Sequence, residues 1–242
     1  DAIAGGSAQP GANAKQLGSF EILLPPIPEQ TAIASVLSSL DDKIDLLRSQ
    51  NATFKKIAET LFRQWFVEEG KVGWELGKLS DLVVVKYGKD HKKLLDGPVP
   101  MYGSGGLMRY VEKPLYSKES VLIPRKGTLG NVIYQNEPFW TVDTMFYTEM
   151  KAPNIAKFIY HFLCDIDLAS MNVGSAVPSM TTGVLNNLPL EIPPKNILEK
   201  FEEAVSPFYK KIKSNQTQIC TLTALRNTLL PKLMSGEVRV KN

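Results

Sequence analysis

Residues 33–65, IASVLSSLDDKIDLLRSQNATFKKIAETLFRQW, decide the fold. Within them Ile33, Leu37, Leu40, Ile44, Leu47, Asn51, Phe54, Ala58, Leu61 and Trp65 recur in alternating steps of four and three. That 3.5-residue period is the seam along which one helix packs on another. A helix of ~33 residues is ~50 Å long at 1.5 Å per residue. A second seam lies near the other end of the chain. It runs Leu198, Phe201, Val205, Phe208, Ile212, Asn215, Ile219, Leu222, then Leu225 or Arg226, then Leu229 and Leu233. The pairing residues are read as Leu40, Ile44, Leu47 and Asn51 from the first helix, with Phe208, Ile212, Asn215 and Ile219 from the second. Each seam holds one asparagine. A buried amide destabilises unless a partner meets it, and so it sets register; the alternative is that both asparagines face water.

The two helices belong to a duplication. Gly6-Ser7-Ala8-Gln9-Pro10 returns as Gly174-Ser175-Ala176-Val177-Pro178, an offset of 168 residues. At the same offset Leu17 matches Leu185, Pro25-Pro26 matches Pro193-Pro194, Lys43-Ile44 matches Lys211-Ile212, and Thr60-Leu61 matches Thr228-Leu229. Each copy reads as a Gly-Ser loop, an apolar strand (Phe20 to Leu24, Leu188 to Ile192), a Pro-Pro stop and a long helix. Pro28 suits a first helical turn, and Glu29 its positive end. Pro231 is expected to kink the second helix or end its regular part.

From about Gly70 to Pro194 the texture changes to short β-type runs between glycine turns: Leu82–Val85, Val121–Ile123, Asn131–Tyr134 and Trp140–Tyr147. One helical segment, Asn154 to Asp167, sets Ile155, Phe158, Ile159, Phe162 and Leu163 on one face. The expected fold is α+β: a mostly β domain with one helix, inserted between two long antiparallel coiled-coil helices. The expected divisions are 28–67 for the first helix, 68–194 for the domain, and 195–242 for the second helix and tail.

The composition is that of a folded protein. Of 242 residues 43% are hydrophobic and 22% charged, which excludes wholesale disorder and collagen-like sequence. No apolar run approaches the ~18 residues of a membrane span, and no signal peptide opens the chain. Cys164 and Cys220, His91 and His161 form neither a disulfide framework nor a zinc motif, so the cytosol is the default location and no metal site is expected. The net charge of +3 permits an anionic partner without requiring one.

Enzyme motifs find no footing. Gly103-Ser-Gly-Gly106 completes no G-x-G-x-x-G, Arg125-Lys-Gly-Thr-Leu-Gly130 lacks the phosphate-loop spacing, and no G-x-S-x-G elbow appears. Asp165 and Asp167 read as a solvated helix end. Nucleic-acid binding is better served. Lys86-Tyr87-Gly88-Lys89-Asp90-His91-Lys92-Lys93 could neutralise phosphates while Tyr87 stacks, or could be a solvated lysine-rich loop. Arg125, Lys126 and Thr128 follow an apolar run, where an arginine can fork onto guanine or phosphate, or close a salt-bridged turn. The loops Tyr102–Gly106, with Ser104, and Gly174–Ala176 offer amides and hydroxyls to phosphates, or are tight turns only.

Taken together, these segments resemble a known family. Leu24-Pro-Pro-Ile-Pro-Glu-Gln30 with Leu61-Phe-Arg-Gln-Trp-Phe66 is similar to the central conserved region of type I restriction–modification specificity (S) subunits. Thr221-Leu-Thr-Ala-Leu-Arg226 and Leu229-Leu-Pro-Lys-Leu-Met-Ser-Gly-Glu237 resemble that family's distal conserved region. Tyr102-Gly-Ser-Gly-Gly106, Pro124-Arg-Lys-Gly127 and Trp140-Thr-Val-Asp-Thr144 look like segments of its target recognition domains. The resemblance implies a non-catalytic subunit that reads one half of a split site on double-stranded DNA, with helices that space the half-sites. It also implies docking of modification methyltransferase subunits, to which a motor–nuclease restriction subunit is added. Methyl donor and ATP would bind those partners, so the chain itself would carry no cofactor. Lys86, Tyr87, Lys89, Lys92, Lys93, Tyr102, Ser104, Arg125, Lys126 and Thr128 are the expected DNA contacts, with lysines and serine on phosphates and Arg125 on a base. Residues 1–27 match only the tail of a first recognition domain, so a truncated or half-sized S subunit is expected, recovering its second reader by homodimer formation. The rival reading is a coiled-coil scaffold whose inserted domain binds protein.

Overall fold

In the computed structural model of the chain, residues 14–19, 24–69, 73–171 and 179–240 are described. The repeat's Gly-Ser loops, including Gly174–Ala176, and most of the strand expected from Phe20 lie outside them. A short helix α1 (Ala14–Gly18) precedes the long α2 (Ile27–Arg63), which passes into a π-helical turn at Gln64–Glu68. Then come β1 (Glu75–Lys78), α3 (Leu79–Leu82), β2 (Val83–Tyr87), β3 (Val99–Gly103), β4 (Gly106–Val111), β5 (Ser120–Pro124) and β6 (Ile133–Gln135). The chain continues through β7 (Trp140–Thr141), β8 (Met145–Met150), α4 (Ala156–Asp165), α5 (Thr182–Asn186), β9 (Pro189–Ile192) and the long α6 (Lys195–Met234). The fold is mixed helix and sheet, with a long helix towards each end of the chain.

The chain divides into two compact units, Asp1–Ala52 with Ile212–Asn242, and Thr53–Lys211. In the first, α2 and α6 run antiparallel: Arg226 Nη1 meets Asp41 at 2.7 Å, and Asn215 Nδ2 donates to Asn51 Oδ1 at 2.9 Å and to Gln50 at 3.3 Å. Ile33, Ile44, Leu47, Ile212 and Leu233 are buried in this unit, while Leu40, Asn51 and Ile219 are half-buried. Asn215 is fully buried, and its Oδ1 has no hydrogen-bond donor among the described residues. The position left open between Leu225 and Arg226 is resolved by charge: Arg226 takes Asp41, while Leu225 stays exposed.

Pro231, expected to kink the second helix or end its regular part, does not end it. The helix continues to Met234, where the Ser235 amide donates to the Pro231 carbonyl at 2.9 Å. The stop is Gly236, whose φ of +75° is the left-handed conformation that closes many helices.

Among the described residues the second unit holds three sheets. A four-stranded antiparallel sheet has the order β2-β8-β5-β6; β4-β3-β7 form a smaller one, with β3 and β7 parallel; β1 pairs antiparallel with β9. Every residue of β5 is buried, and its side chains alternate between two cores as the pleat requires. Val121 and Ile123 join the core built with Phe62, Phe66, Phe158 and Phe201, whereas Leu122 joins Met101, Phe139, Trp140 and Met145. The long helices' aromatic ends in this unit therefore cover one face of the central sheet, and the small sheet covers the other. The single run expected at Trp140–Tyr147 is two strands, β7 and β8, in different sheets.

Replacing Leu47, which is 2% exposed, by aspartate should lower unfolding free energy by roughly 3–5 kcal/mol, because an unpaired charge would enter the seam. The neighbouring Leu46→Asp, at a 51% exposed position, should stay within about 0.5 kcal/mol. Urea unfolding followed by helical circular dichroism distinguishes the two.

Candidate nucleic-acid interface

The link between β7 and β8, Val142 to Thr144, carries the chain from the small sheet to the central one. Its backbone is where the basic segments meet. Lys89, just past β2, donates its amide to Thr141 O at 2.9 Å, and Gly88 donates to Met145 O at 3.0 Å. The amides of Arg125 and Lys126, past the end of β5, both point to Thr144 O, at 2.8 and 3.2 Å. Val142 donates to Tyr102 O at 3.1 Å, and so does the Thr141 hydroxyl. Three segments far apart in sequence, 86–89, 102–104 and 125–128, are thus collected at the ends of β2, β3 and β5.

Close approach demands glycine twice. A Cβ on Gly88 would lie 2.0 Å from the Val142 carbonyl oxygen, so no side chain fits there. Gly127 has φ +83°, and a Cβ there would lie 2.9 Å from Ser104 Oγ. The 125–128 turn is also tied to the β3–β4 hairpin by Asn131 Nδ2, which donates to Ser104 O at 2.9 Å.

The side chains then sort themselves. Lys86, Tyr87, Lys89, Lys126 and Thr128 are exposed, and Arg125 and Ser104 are half-buried. Arg125 lies with its guanidinium 5.4 Å from the Tyr87 ring centroid, and one nitrogen donates to Asp143 O at 3.1 Å. It is held at two points among the described residues. Tyr102 turns inward instead: its hydroxyl donates to Gln135 at 3.4 Å, and burial pushes it up to about 12. Lys92 and Lys93 are exposed on a separate turn. That turn is braced by Arg109, which donates to the carbonyls of His91 and Leu94 at 3.1 and 3.0 Å and pairs with Asp96 at 2.8 Å. The amide of Lys92 caps Asp90 and holds its carboxyl below the usual range. Asp143, Asn131 and Arg109 were not singled out as functional in the sequence, although Asp143 lies inside Trp140–Thr144 and Asn131 opens the run Asn131–Tyr134.

No group of three or more His, Cys, Asp or Glu side chains could hold a metal ion among the described residues. Nor is any helix among them long and apolar enough to cross a membrane. The surface gathered at these strand ends is cationic and aromatic, with backbone fixed underneath it, which suits a polyanion.

Residues 2–56 and 71–224 match the family described as the type I restriction modification DNA specificity domain. The chain belongs to that family. It is 27% identical over 282 residues to the type I restriction enzyme MjaIX specificity subunit of Methanocaldococcus jannaschii, covering 99% of this chain and 65% of the relative. It is 21% identical over 328 residues to the HindI specificity subunit of Haemophilus influenzae, covering 92% and 70%. Among solved structures, the type I restriction-modification S subunit from M. genitalium superposes with a TM-score of 0.68 at 22% identity, over 96% of this chain and 68% of that one. The chain therefore spans about two thirds of the length of these relatives, and its mixed helix-and-sheet fold is that of the family.

Gly88→Ala should cost about 1–3 kcal/mol, since the new methyl meets main chain that cannot step aside. Gly105→Ala, with nothing within 4 Å of its Cβ, should be close to neutral. Thermal midpoints of the two variants test whether the 88/142 approach is the tight one.

Proposed function

We propose that the chain is a non-catalytic, sequence-specific DNA-binding subunit of a type I restriction–modification complex. The domain at about 68–194 reads one half of a bipartite site. The observation that carries this reading is the gathering of Lys89, Arg125 and Lys126 on the carbonyls of Thr141 and Thr144, with Tyr87 beside Arg125, in a member of the DNA specificity domain family. Arg125, steadied by Tyr87 and Asp143 O, is the base reader, because a guanidinium fixed in plane can fork onto guanine O6 and N7. Lys86, Lys89, Lys92, Lys93 and Lys126 hold phosphates, joined by Ser104 and Thr128. Tyr102 serves by shaping the hairpin rather than by touching DNA.

The helices, at about 28–67 and 195–234, act as spacer and as docking surface for methyltransferase subunits, and the restriction subunit joins through them. Methyl donor and ATP chemistry belong to those partners, and the cytoplasm is where such a complex meets DNA. Two copies assembled with methyltransferase present two identical readers, and the site they read is a split palindrome. Closed twofold pairing is the commonest association of identical chains.

Binding to duplex DNA should weaken steeply with salt, with a log–log slope near −0.9 per neutralised phosphate. Arg125→Ala should cost about 1–3 kcal/mol and relax preference at one position, whereas Lys92→Ala should weaken all sequences alike and reduce the salt slope by about one. Salt-independent or absent DNA binding would favour a protein-binding scaffold. In cells whose only specificity subunit is this chain, methylome mapping should return an inverted-repeat site; an asymmetric motif would remove the two-copy arrangement.

A further inference from the structure

Lys157, in the first turn of α4, is 4% exposed, an unusual place for an ammonium group. Its Nζ lies 2.5 Å from Glu202 on α6 and 3.3 Å from Glu119, the residue before β5. It also lies over two rings, 5.2 Å from the centroid of Tyr134 on β6 and 5.6 Å from that of Tyr209 on α6. The Tyr134 hydroxyl donates to Glu119, Ser206 donates to Glu202 at 2.7 Å, and the Tyr209 hydroxyl meets His161 Nε2 at 2.8 Å. Burial pushes both phenols up and pulls His161 down to about 4, so these three stay neutral at neutral pH.

Around this network α6 meets α4 and the end of α2 through rings: Phe62, Phe66, Phe158 and Phe201 pack at centroid distances of 4.9 to 6.2 Å. Ring packing of this kind is tolerant of small slides. A buried ammonium shared by two carboxylates is not, since each hydrogen bond is directional and its loss strands a charge. Strand β5 carries that restraint onward. Glu119 precedes its first residue, Arg125 follows its last, and five buried residues at about 3.3 Å each form a stiff arm between them.

We propose that Lys157 is a positioning residue: by joining Glu119 to Glu202 it sets the direction in which the Arg125 loop faces relative to α6, and so sets the half-site spacing the complex accepts. The idea rests on the DNA-reading function above. Base preference would come from the loops, and spacing from the helices together with this joint. One base pair of extra gap moves a half-site by about 3.4 Å and turns it by about 35°, so a joint that yields by a few ångströms loses the distinction.

Two variants test it: Lys157→Met alone, and Lys157→Met with Glu119→Gln and Glu202→Gln, which removes the ammonium without leaving opposed carboxylates. Circular dichroism checks that both are folded. Spin labels on the full chain at Lys126 and Lys210, with Cys164 and Cys220 replaced by serine, should give one narrow distance in the parent and a broad distribution in both variants. In methyltransferase complexes, the parent should prefer its own gap over gaps one base pair longer or shorter by about tenfold, the effect of a single mismatched pair. The triple variant should lose most of that preference while its half-site base preference is unchanged. Distributions as narrow as the parent's, or gap selectivity equal to the parent's, would overturn the positioning role. A parent complex without base preference would instead defeat the DNA-reading function, and the label distances would still decide what Lys157 does.

Discussion

The cationic surface at the strand ends depends on a short piece of main chain. Between Thr141 and Met145 the carbonyls of Thr141, Thr144 and Met145 accept amides from Lys89, Arg125, Lys126 and Gly88, and the amide of Val142 reaches Tyr102. Two sheets that share no strand are sewn together there, and the loops at their ends inherit their positions from the stitches. The consequence is chemical as well as geometric. A loop whose own amides are satisfied by fixed carbonyls keeps its side chains free for solvent or ligand, and it can vary those side chains without losing its place.

Within the second unit, the sheets and α4 are held against the helix ends that belong to it by aromatic mass. Phe66 alone meets Trp65, Trp74, Phe158 and Phe201. The FRQWF stretch thus does two things: it ends α2 in a π-helical turn and seeds the core under the central sheet. Non-directional burial supplies the bulk of the stabilisation, and the few buried polar groups select one arrangement among many that would bury similar area.

Much of this was legible in the sequence because helices announce themselves by period. Ile44, Leu47, Ile212 and Asn215, which the 3.5-residue spacing puts on one face, are buried. The strands were read less well. Trp140–Tyr147 is an unbroken β-type run, and nothing in its composition says that Val142–Thr144 leaves one sheet for another. The β3–β4 hairpin was read only as a loop, since Pro100 and three glycines conceal its pairing. For the surface, basic residues next to glycine were the useful signal, as such pairs mark strand ends. That signal could not tell an outward Tyr87 from an inward Tyr102, because the difference lies in Gln135, a residue 33 positions away.

The duplication is symmetric in sequence, but the amide pair is not. Under the offset of 168 residues Asn51 corresponds to Ile219 and Asn215 to Leu47. An antiparallel pairing of α2 with a second α2 in the equivalent register would set Asn51 against Leu47, and α6 with α6 would set Asn215 against Ile219. Either leaves an amide dry, at about 1–3 kcal/mol for each stranded group. Only the mixed pair brings Asn51 to Asn215. Two helices descended from one ancestor are thereby kept from choosing their own kind, and a seam slightly weaker than an all-apolar one gains a sense of self and other.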